Sequence, residues 1–214
     1  KVLITGSTGF IGSHFIEHCL NKGWDVDAVK RNSSNLDIYE SVKHFYKQDS
    51  SHPSSNEINQ LQLLKEALSE RAEWSCSKIH SQERGSLKWL TASLDDIDEV
   101  IGLMQNSYDL IIHAAAKISF KKKDGAQMIE DNIHLTRNII NAAIKVNQKK
   151  IIHVSSIAAL GRPSEDRPIR ITDDWEESPY NTDYAKSKFH SEMEVWRGKE
   201  EGMNVLIVNP GIVL

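Results

Sequence analysis

Residues 1–15 read KVLITGSTGFIGSHF, an apolar, β-branched run that breaks into glycines at positions 6, 9 and 12 and continues as a helical pattern. A strand that ends at Thr5 has to turn sharply into a helix, and the missing Cβ of Gly6 permits the turn. Gly9 lets backbone approach a ligand, and Gly12 lets the helix lie close to the sheet. The N–H groups at the helix start then face an anion, most economically a pyrophosphate. The spacing G-x-x-G-x-x-G is a weak signal by itself. Its place directly after a strand, at the head of a β-α-β series, favours dinucleotide binding over a turn that serves no ligand. The Gly-Lys-Ser/Thr ending of a triphosphate-binding loop is absent.

Outward from this stretch, short apolar runs alternate with longer amphipathic ones. Val2–Thr5, Val26–Val29, Leu87–Leu90, Leu110–His113, Ile151–Ser155 and Val205–Val208 are near-continuously apolar, as buried parallel strands are. Between them, 10–22, 95–106, 126–147 and 183–201 carry helical periodicity. The order predicts an α/β, doubly wound parallel sheet of the Rossmann type, one nucleotide-binding domain over 1–214. The interval 33–86 breaks the rhythm with a Ser, Asn and His-rich loop. A helical pattern on Ile58, Leu61, Leu64 and Leu68 follows it, so the interval reads as an insertion between the second and third strands.

Composition narrows the function classes. With 39% hydrophobic and 26% charged residues in 214, the chain can bury one sizeable core. A formal charge of −4 gives no footprint for nucleic acid or an anionic membrane. The basic run Lys121-Lys122-Lys123 reads as a solvated loop or helix start. Two cysteines, Cys19 and Cys76, make no disulfide framework, and no stretch approaches the roughly 18 apolar residues of a membrane span. A cytoplasmic setting is the natural expectation. His14 and His18 stand four apart on the first helix without an evident third ligand, so no metal site is expected.

The second strand bears on which dinucleotide. A 2′-hydroxyl on the adenosine ribose is usually held by an acid about 20 residues beyond the glycines, a 2′-phosphate by Arg. Here Val29 is followed by Lys30, Arg31, Asn32, Ser33 and Ser34. Two cations followed by donors favour NADP, with NAD as the alternative.

A second constellation lies in NTDYAKSKFHSEMEVW, a helical segment with an N-cap at Asn181 or Thr182. Tyr184 and Lys188, four apart, share a helix face. Lowering a phenol pKa from near 10 by roughly three units needs about 4 kcal/mol of selective phenolate stabilisation, which a neighbouring ammonium can largely supply. Upstream, in HVSSIAALG (153–161), an apolar strand ends at Ser155 and Ser156, where a hydroxyl at the carboxyl edge of a parallel sheet can hold a substrate oxygen. A hydrolase triad of Ser156, His153 and Asp173 has no G-x-S-x-G elbow to support it.

On TGSTGFIGS (5–13), HAAA (113–116), Asn132, Thr136 and Asn138 in NIHLTRN, VSS (154–156), YAKSK (184–188) and NPG (209–211), the chain resembles the extended short-chain dehydrogenases/reductases. These include nucleotide-sugar epimerases and dehydratases, dihydroflavonol reductases and hydroxysteroid dehydrogenases; the dihydroflavonol reductase branch is the nearer match. The resemblance implies Tyr184 as acid/base, Lys188 on the nicotinamide ribose, and Ser156 orienting the reacting oxygen. Ser156 is chosen over Ser155 because the family places that serine five residues before a glycine, here Gly161. It implies a cofactor surface made by Gly6, Thr8, Gly9, Phe10, Ile11, Gly12, Lys30, Arg31, Ser93, Leu94, Ala114, Ala115, Ala116, Ser155, Tyr184, Lys188, Pro210 and Gly211. Arg31 falls where the dihydroflavonol reductase branch carries its 2′-phosphate arginine.

Ser93 stands where the family commonly has the Asp that holds the adenine, with Asp95 or Asp96 as substitutes, and Leu135 where a glycine is frequent. The chain starts inside its first strand and stops at Leu214, four residues after Pro210, so the resemblance implies a piece of a longer protein whose later part builds most of the substrate pocket. The expected activity is NADP(H)-dependent hydride transfer at a carbonyl or alcohol carbon. A nucleotide-sugar epimerase or dehydratase with retained cofactor, and a non-catalytic dinucleotide sensor, are the alternatives. The resemblance also implies a homodimer through 126–147 and 183–201, although each of these helices needs one face against the sheet.

Overall fold

The computed structural model describes residues 1–48, 83–119, 121–163, 167–170 and 173–211. Six strands, β1 (Val2–Thr5), β2 (Val26–Lys30), β3 (Leu87–Thr91), β4 (Leu110–His113), β5 (Lys150–Val154) and β6 (Asn204–Val208), form one parallel sheet in the order β3-β2-β1-β4-β5-β6. Among the described residues five helices cover it: α1 (Phe10–Asn21), α2 (Asp37–Gln48), α3 (Ile97–Met104), α4 (Gly125–Lys145) and α5 (Asp183–Glu200). The expected strands and helices are all present with ends moved by a residue or two. The helical pattern on Ile58–Leu68 lies outside the described residues.

Alternation along each strand sorts the core into two layers. Leu3, Val29, Ile111 and Ile151 pack with Val100, Leu103, Leu135, Ile139 and Val195 of α3, α4 and α5. Val2, Ile4, Val26, Leu110, Ile112 and Ile152 pack with Phe15, Ile16 and Leu20 of α1 and Tyr39 of α2. Each fully buried Ile or Leu contributes about 1.5–3 kcal/mol.

One expectation is corrected. The third and sixth runs were expected to be buried, but β3 and β6 are the outermost strands among the described residues, and their residues are half-buried or exposed. The Ser, Asn and His-rich loop at 50–60 lies outside the described residues; ahead of it the interval opens with α2, whose Tyr39 and Val42 are buried. Where the chain returns, Arg84 Nη2 donates to Glu17 Oε2 at 2.6 Å and Gly85 N to Leu20 O at 2.8 Å, anchoring the approach to β3 on α1. Glu17 is fully buried and also accepts from Tyr39 Oη at 3.0 Å.

The order places the topological switch between β1 and β4, whose successors run outward in opposite directions. Ligands in such sheets bind in the crevice beyond the carboxyl ends of these strands.

Candidate active site

At the switch point β1 ends in Thr5 and the chain turns at Gly6, with φ +70°. The turn closes with Gly9 N donating to Gly6 O at 3.0 Å, and the first bond of α1 runs from Ser13 N to Gly9 O at 2.9 Å. A Cβ on Gly6 would lie 2.5 Å from the carbonyl carbon of Ala114, and one on Gly12 would lie 2.1 Å from Gly6 O. The tight turn expected at Gly6 is present, while Gly12 is required by close approach of the helix to the turn at Gly6 and Ser7 rather than to a strand. A Cβ on Gly9 would meet only Gly6 O, at 3.4 Å, so Gly9 is not required by packing. Ser7 and Ser13 spend their hydroxyls on the backbone oxygens of Ile4 and Ser7. The start of α1 has no side-chain cap and no acid in its first turn. Its first N–H groups and the positive end of the helix dipole thus lack the usual anionic or hydroxyl partner, which suits a pyrophosphate.

On one side of this loop stand half-buried Lys30, at the end of β2, and exposed Arg31. Arg31 N donates to Ser34 Oγ at 3.1 Å, and neither side chain forms an ion pair among the described residues. Ser93 does not present an acid: its N–H donates to Glu99 at 2.7 Å. Asp96 caps α3, its Oδ1 accepting from the N–H groups of Asp98 and Glu99. Asp95 pairs with Lys117 at 3.5 Å and accepts Asn138 Nδ2 on its carbonyl at 3.2 Å. Leu94 is buried in the core and Leu135, at the family's glycine position, packs there too. On the other side, half-buried Ala114, Ala115 and Ala116 continue from β4 against Gly6.

The second constellation arrives on α5. Thr182, not Asn181, is its cap, accepting from Ala185 N at 3.1 Å. Asn181 instead holds the preceding loop, accepting from Arg162 N at 2.8 Å and donating to Glu176 O at 2.8 Å. Tyr184 is half-buried in the first turn; Lys188, one turn on, is buried and its Nζ donates to Val154 O at 3.1 Å, at the end of β5. Burial brings the Lys188 ammonium down to about 8, opposed by the charge of Glu192. Ser156 follows β5 in extended conformation, and its Oγ accepts from Ala158 N at 3.2 Å. Asn132 of α4 joins the parts: it accepts from Lys117 N at 2.7 Å, and its Nδ2 lies 2.9 Å from Lys117 O and 3.3 Å from Ser187 Oγ. The remaining expected cofactor residues lie on the same edge, with Phe10 exposed, Thr8 and Ile11 half-buried, and Pro210 accepting from Ile157 N at 3.0 Å.

Several residues below the site were not foreseen. His113 and His153 are buried neighbours across β4 and β5, with ring centroids 5.3 Å apart. Thr136 Oγ1 donates to Asn132 O, so it accepts from His113 Nε2 at 3.3 Å, and Thr5 Oγ1 donates to Nδ1 at 2.7 Å. Burial, aided by the Lys188 charge, pushes the His113 pKa down to about 3, and burial lowers that of His153 well below the ordinary value. Neither nitrogen of His153 has a hydrogen-bond partner, so the triad with Ser156 and Asp173 is not assembled. Asp173 instead pairs with Arg167. Glu192, buried one turn beyond Lys188, accepts from Asn209 Nδ2 at 2.6 Å. The signal available in the sequence was the four-residue spacing Tyr184, Lys188, Glu192.

Elsewhere, His14 packs among Phe10, Phe45 and Tyr46. The described residues hold no group of three or more His, Cys, Asp or Glu that could bind a metal, and no helix long and apolar enough to cross a membrane. The basic run enters α4 through a short 3-10 turn, Lys122–Asp124.

Comparison with known proteins matches residues 2–214 to the NAD-dependent epimerase/dehydratase family. Cinnamoyl-CoA reductase 1 of Petunia hybrida is 26% identical over 219 residues, covering 99% of this chain and 54% of that protein. Anthocyanidin reductase of Arabidopsis thaliana is 26% identical over 225 residues, covering 100% and 55%. The crystal structure of UDP-glucose 4-epimerase from Bifidobacterium longum, in complex with NAD+ and UDP, shares the fold with a TM-score of 0.66 at 21% identity, covering 97% of this chain and 52% of that one. The chain spans about half the length of the curated relatives it matches.

Proposed function

We propose that this chain, which belongs to the NAD-dependent epimerase/dehydratase family, carries the nucleotide half of an NADP(H)-dependent reductase acting at a carbonyl or alcohol carbon. One observation carries the reading: the uncapped start of α1 and the Ser156, Tyr184 and Lys188 group lie on one carboxyl edge of the sheet, where β1, β4 and β5 end. A binding fold alone needs only the glycines.

When bound, the dinucleotide supplies the hydride. The chain's own residues do the rest. The first turn of α1 holds the pyrophosphate, and Lys30 and Arg31 meet the 2′-phosphate that separates NADP from NAD. Ser156 Oγ orients the substrate oxygen. Tyr184 Oη gives that oxygen its proton in reduction and takes it back in oxidation. The Lys188 ammonium stabilises the phenolate and is itself fixed by Val154 O, so its charge stays beside the tyrosine. Names of relatives such as cinnamoyl-CoA reductase and anthocyanidin reductase support the reductase branch.

The full-length protein should oxidise NADPH stoichiometrically with a member of a panel of aromatic and aliphatic carbonyl compounds, and use NADH less well. Interconversion of nucleotide sugars without net cofactor consumption would instead favour the epimerase alternative.

A further inference from the structure

We infer that Glu192 is a positioning residue of this site: its buried carboxylate, held by Asn209, ties the ends of β5 and β6 to the helix carrying Tyr184 and sets an anion one turn from Lys188. The inference rests on the reading of Tyr184 and Lys188 given above.

A carboxylate is seldom buried unless something compensates it. Glu192 is 8% exposed. Asn209 Nδ2 lies 2.6 Å from Glu192 Oε1 and 3.0 Å from Ser156 O, so one amide joins α5 to the backbone of the serine proposed to hold the substrate. The backbone repeats the tie: Ser155 N donates to Val208 O at 2.8 Å and Ile157 N to Pro210 O at 3.0 Å. Lys188 meanwhile donates to Val154 O, two residues before Ser156. Glu192 and Lys188 therefore grip the same strand end, one through Asn209 and the other directly.

Four titratable groups face Lys188. His113 from β4 and His153 from β5 are neutral imidazoles, because burial holds both below the ordinary histidine value. Tyr184 and Glu192 come from its own helix, at i−4 and i+4. Among these charged and titratable groups Glu192 is the one whose charge favours the ammonium, beside the Val154 carbonyl that accepts from it. Burial in turn raises the pKa of Glu192, opposed by Asn209 and by Lys188; the Ser155 hydroxyl also favours the carboxylate, without meeting hydrogen-bond geometry. A lysine that stabilises a phenolate must stay charged through the pH range in which the enzyme works, and Glu192, held one turn away by Asn209, is the carboxylate placed to favour that charge.

The test is trace acetylation of the full-length protein with acetic anhydride from about pH 6 to 10, reading Lys188 by peptide mass spectrometry. In Glu192→Gln the Lys188 midpoint should fall by about one pH unit, the size of effect an adjacent opposite charge exerts. The midpoint of half-buried Lys186 should not move. Glu192→Asp should restore most of the shift. A side chain that only filled space would change labelling rates without moving the midpoint, and an unmoved Lys188 midpoint in folded Glu192→Gln overturns the inference. Should that variant fail to fold, Asn209→Leu decides: releasing the carboxylate should move the midpoint down by a smaller amount, and no movement overturns the inference equally. Tyr184→Phe keeps the two readings separate. Turnover surviving in it would refute the proposed reaction, while the labelling result in Glu192→Gln still judges Glu192.

Discussion

Replacing His153 by Leu should make the protein less sensitive to acid, by an amount that follows from burial of the ring. His113 and His153 are both fully enclosed, and both are held below the ordinary value of 6.5. An imidazole whose folded pKa is depressed contributes no penalty above its unfolded pKa. Below it the unfolded chain takes up a proton that the folded chain refuses, so stability is lost as the pH falls toward the folded value, about 3 for His113. At about pH 5, one and a half units below the unfolded value at about 1.4 kcal/mol per unit, each neutral ring costs about 2 kcal/mol. The pair together costs about 4 kcal/mol, a large share of a typical stability of about 5–15 kcal/mol. Glu192, with its raised pKa, gives the opposite slope, and it cancels when variant and parent are compared. Leu is close to His in size and removes two nitrogens that lack partners, so His153→Leu should be no less stable near neutrality. Urea unfolding followed by circular dichroism at about pH 7 and about pH 5 should show the gap widening by about 2 kcal/mol in favour of the variant. An equal gap at both pH values would refute the argument that His153 stays neutral inside the fold.

Other perturbations discriminate equally well. Gly12→Ala sets a methyl 2.1 Å from Gly6 O and should abolish dinucleotide binding in a fluorescence titration. Gly102→Ala, in α3 with nothing within 4 Å of the new methyl, should raise the urea midpoint by the equivalent of about 0.5–1 kcal/mol. Arg84→Ala leaves the Glu17 carboxylate buried without its cation. Because the Arg84 side chain is 45% exposed, the expected loss is about 2 kcal/mol, below the range for fully buried pairs, read from the same urea titration.

The strands and helices of a doubly wound parallel sheet were legible because the central strands carry uninterrupted apolar runs and the helices a clear period; the strand order is set by the structure. The reading of burial differed where position in the sheet, not sequence, sets exposure. LKWLT and NVLIV are apolar like the inner strands, yet among the described residues each has a neighbour on one side only. The helix Asp37–Gln48 was hidden by its polar surroundings, although Ile38, Tyr39, Val42, Phe45 and Tyr46 recur at helical spacing. Glu17 could not be foreseen as buried, because its partners Tyr39 and Arg84 stand 22 and 67 residues away. At the site, the glycines and the Tyr184–Lys188 spacing depend on local geometry and were readable. The His113–Thr136 and Glu192–Asn209 pairings join separate elements; the spacing Tyr184, Lys188, Glu192 places Glu192 on the helix face of the site, but no local pattern announces its partner or that of His113.

The central claim is that Tyr184 exchanges the proton in a hydride transfer whose cofactor sits at the glycine turn. Tyr184→Phe in the full-length protein, assayed both for NADPH affinity and for turnover of its carbonyl substrate, tests it most directly. Affinity should be unchanged while turnover falls by about a hundredfold or more, the range expected for losing a general acid. Turnover at the parental rate would contradict the account.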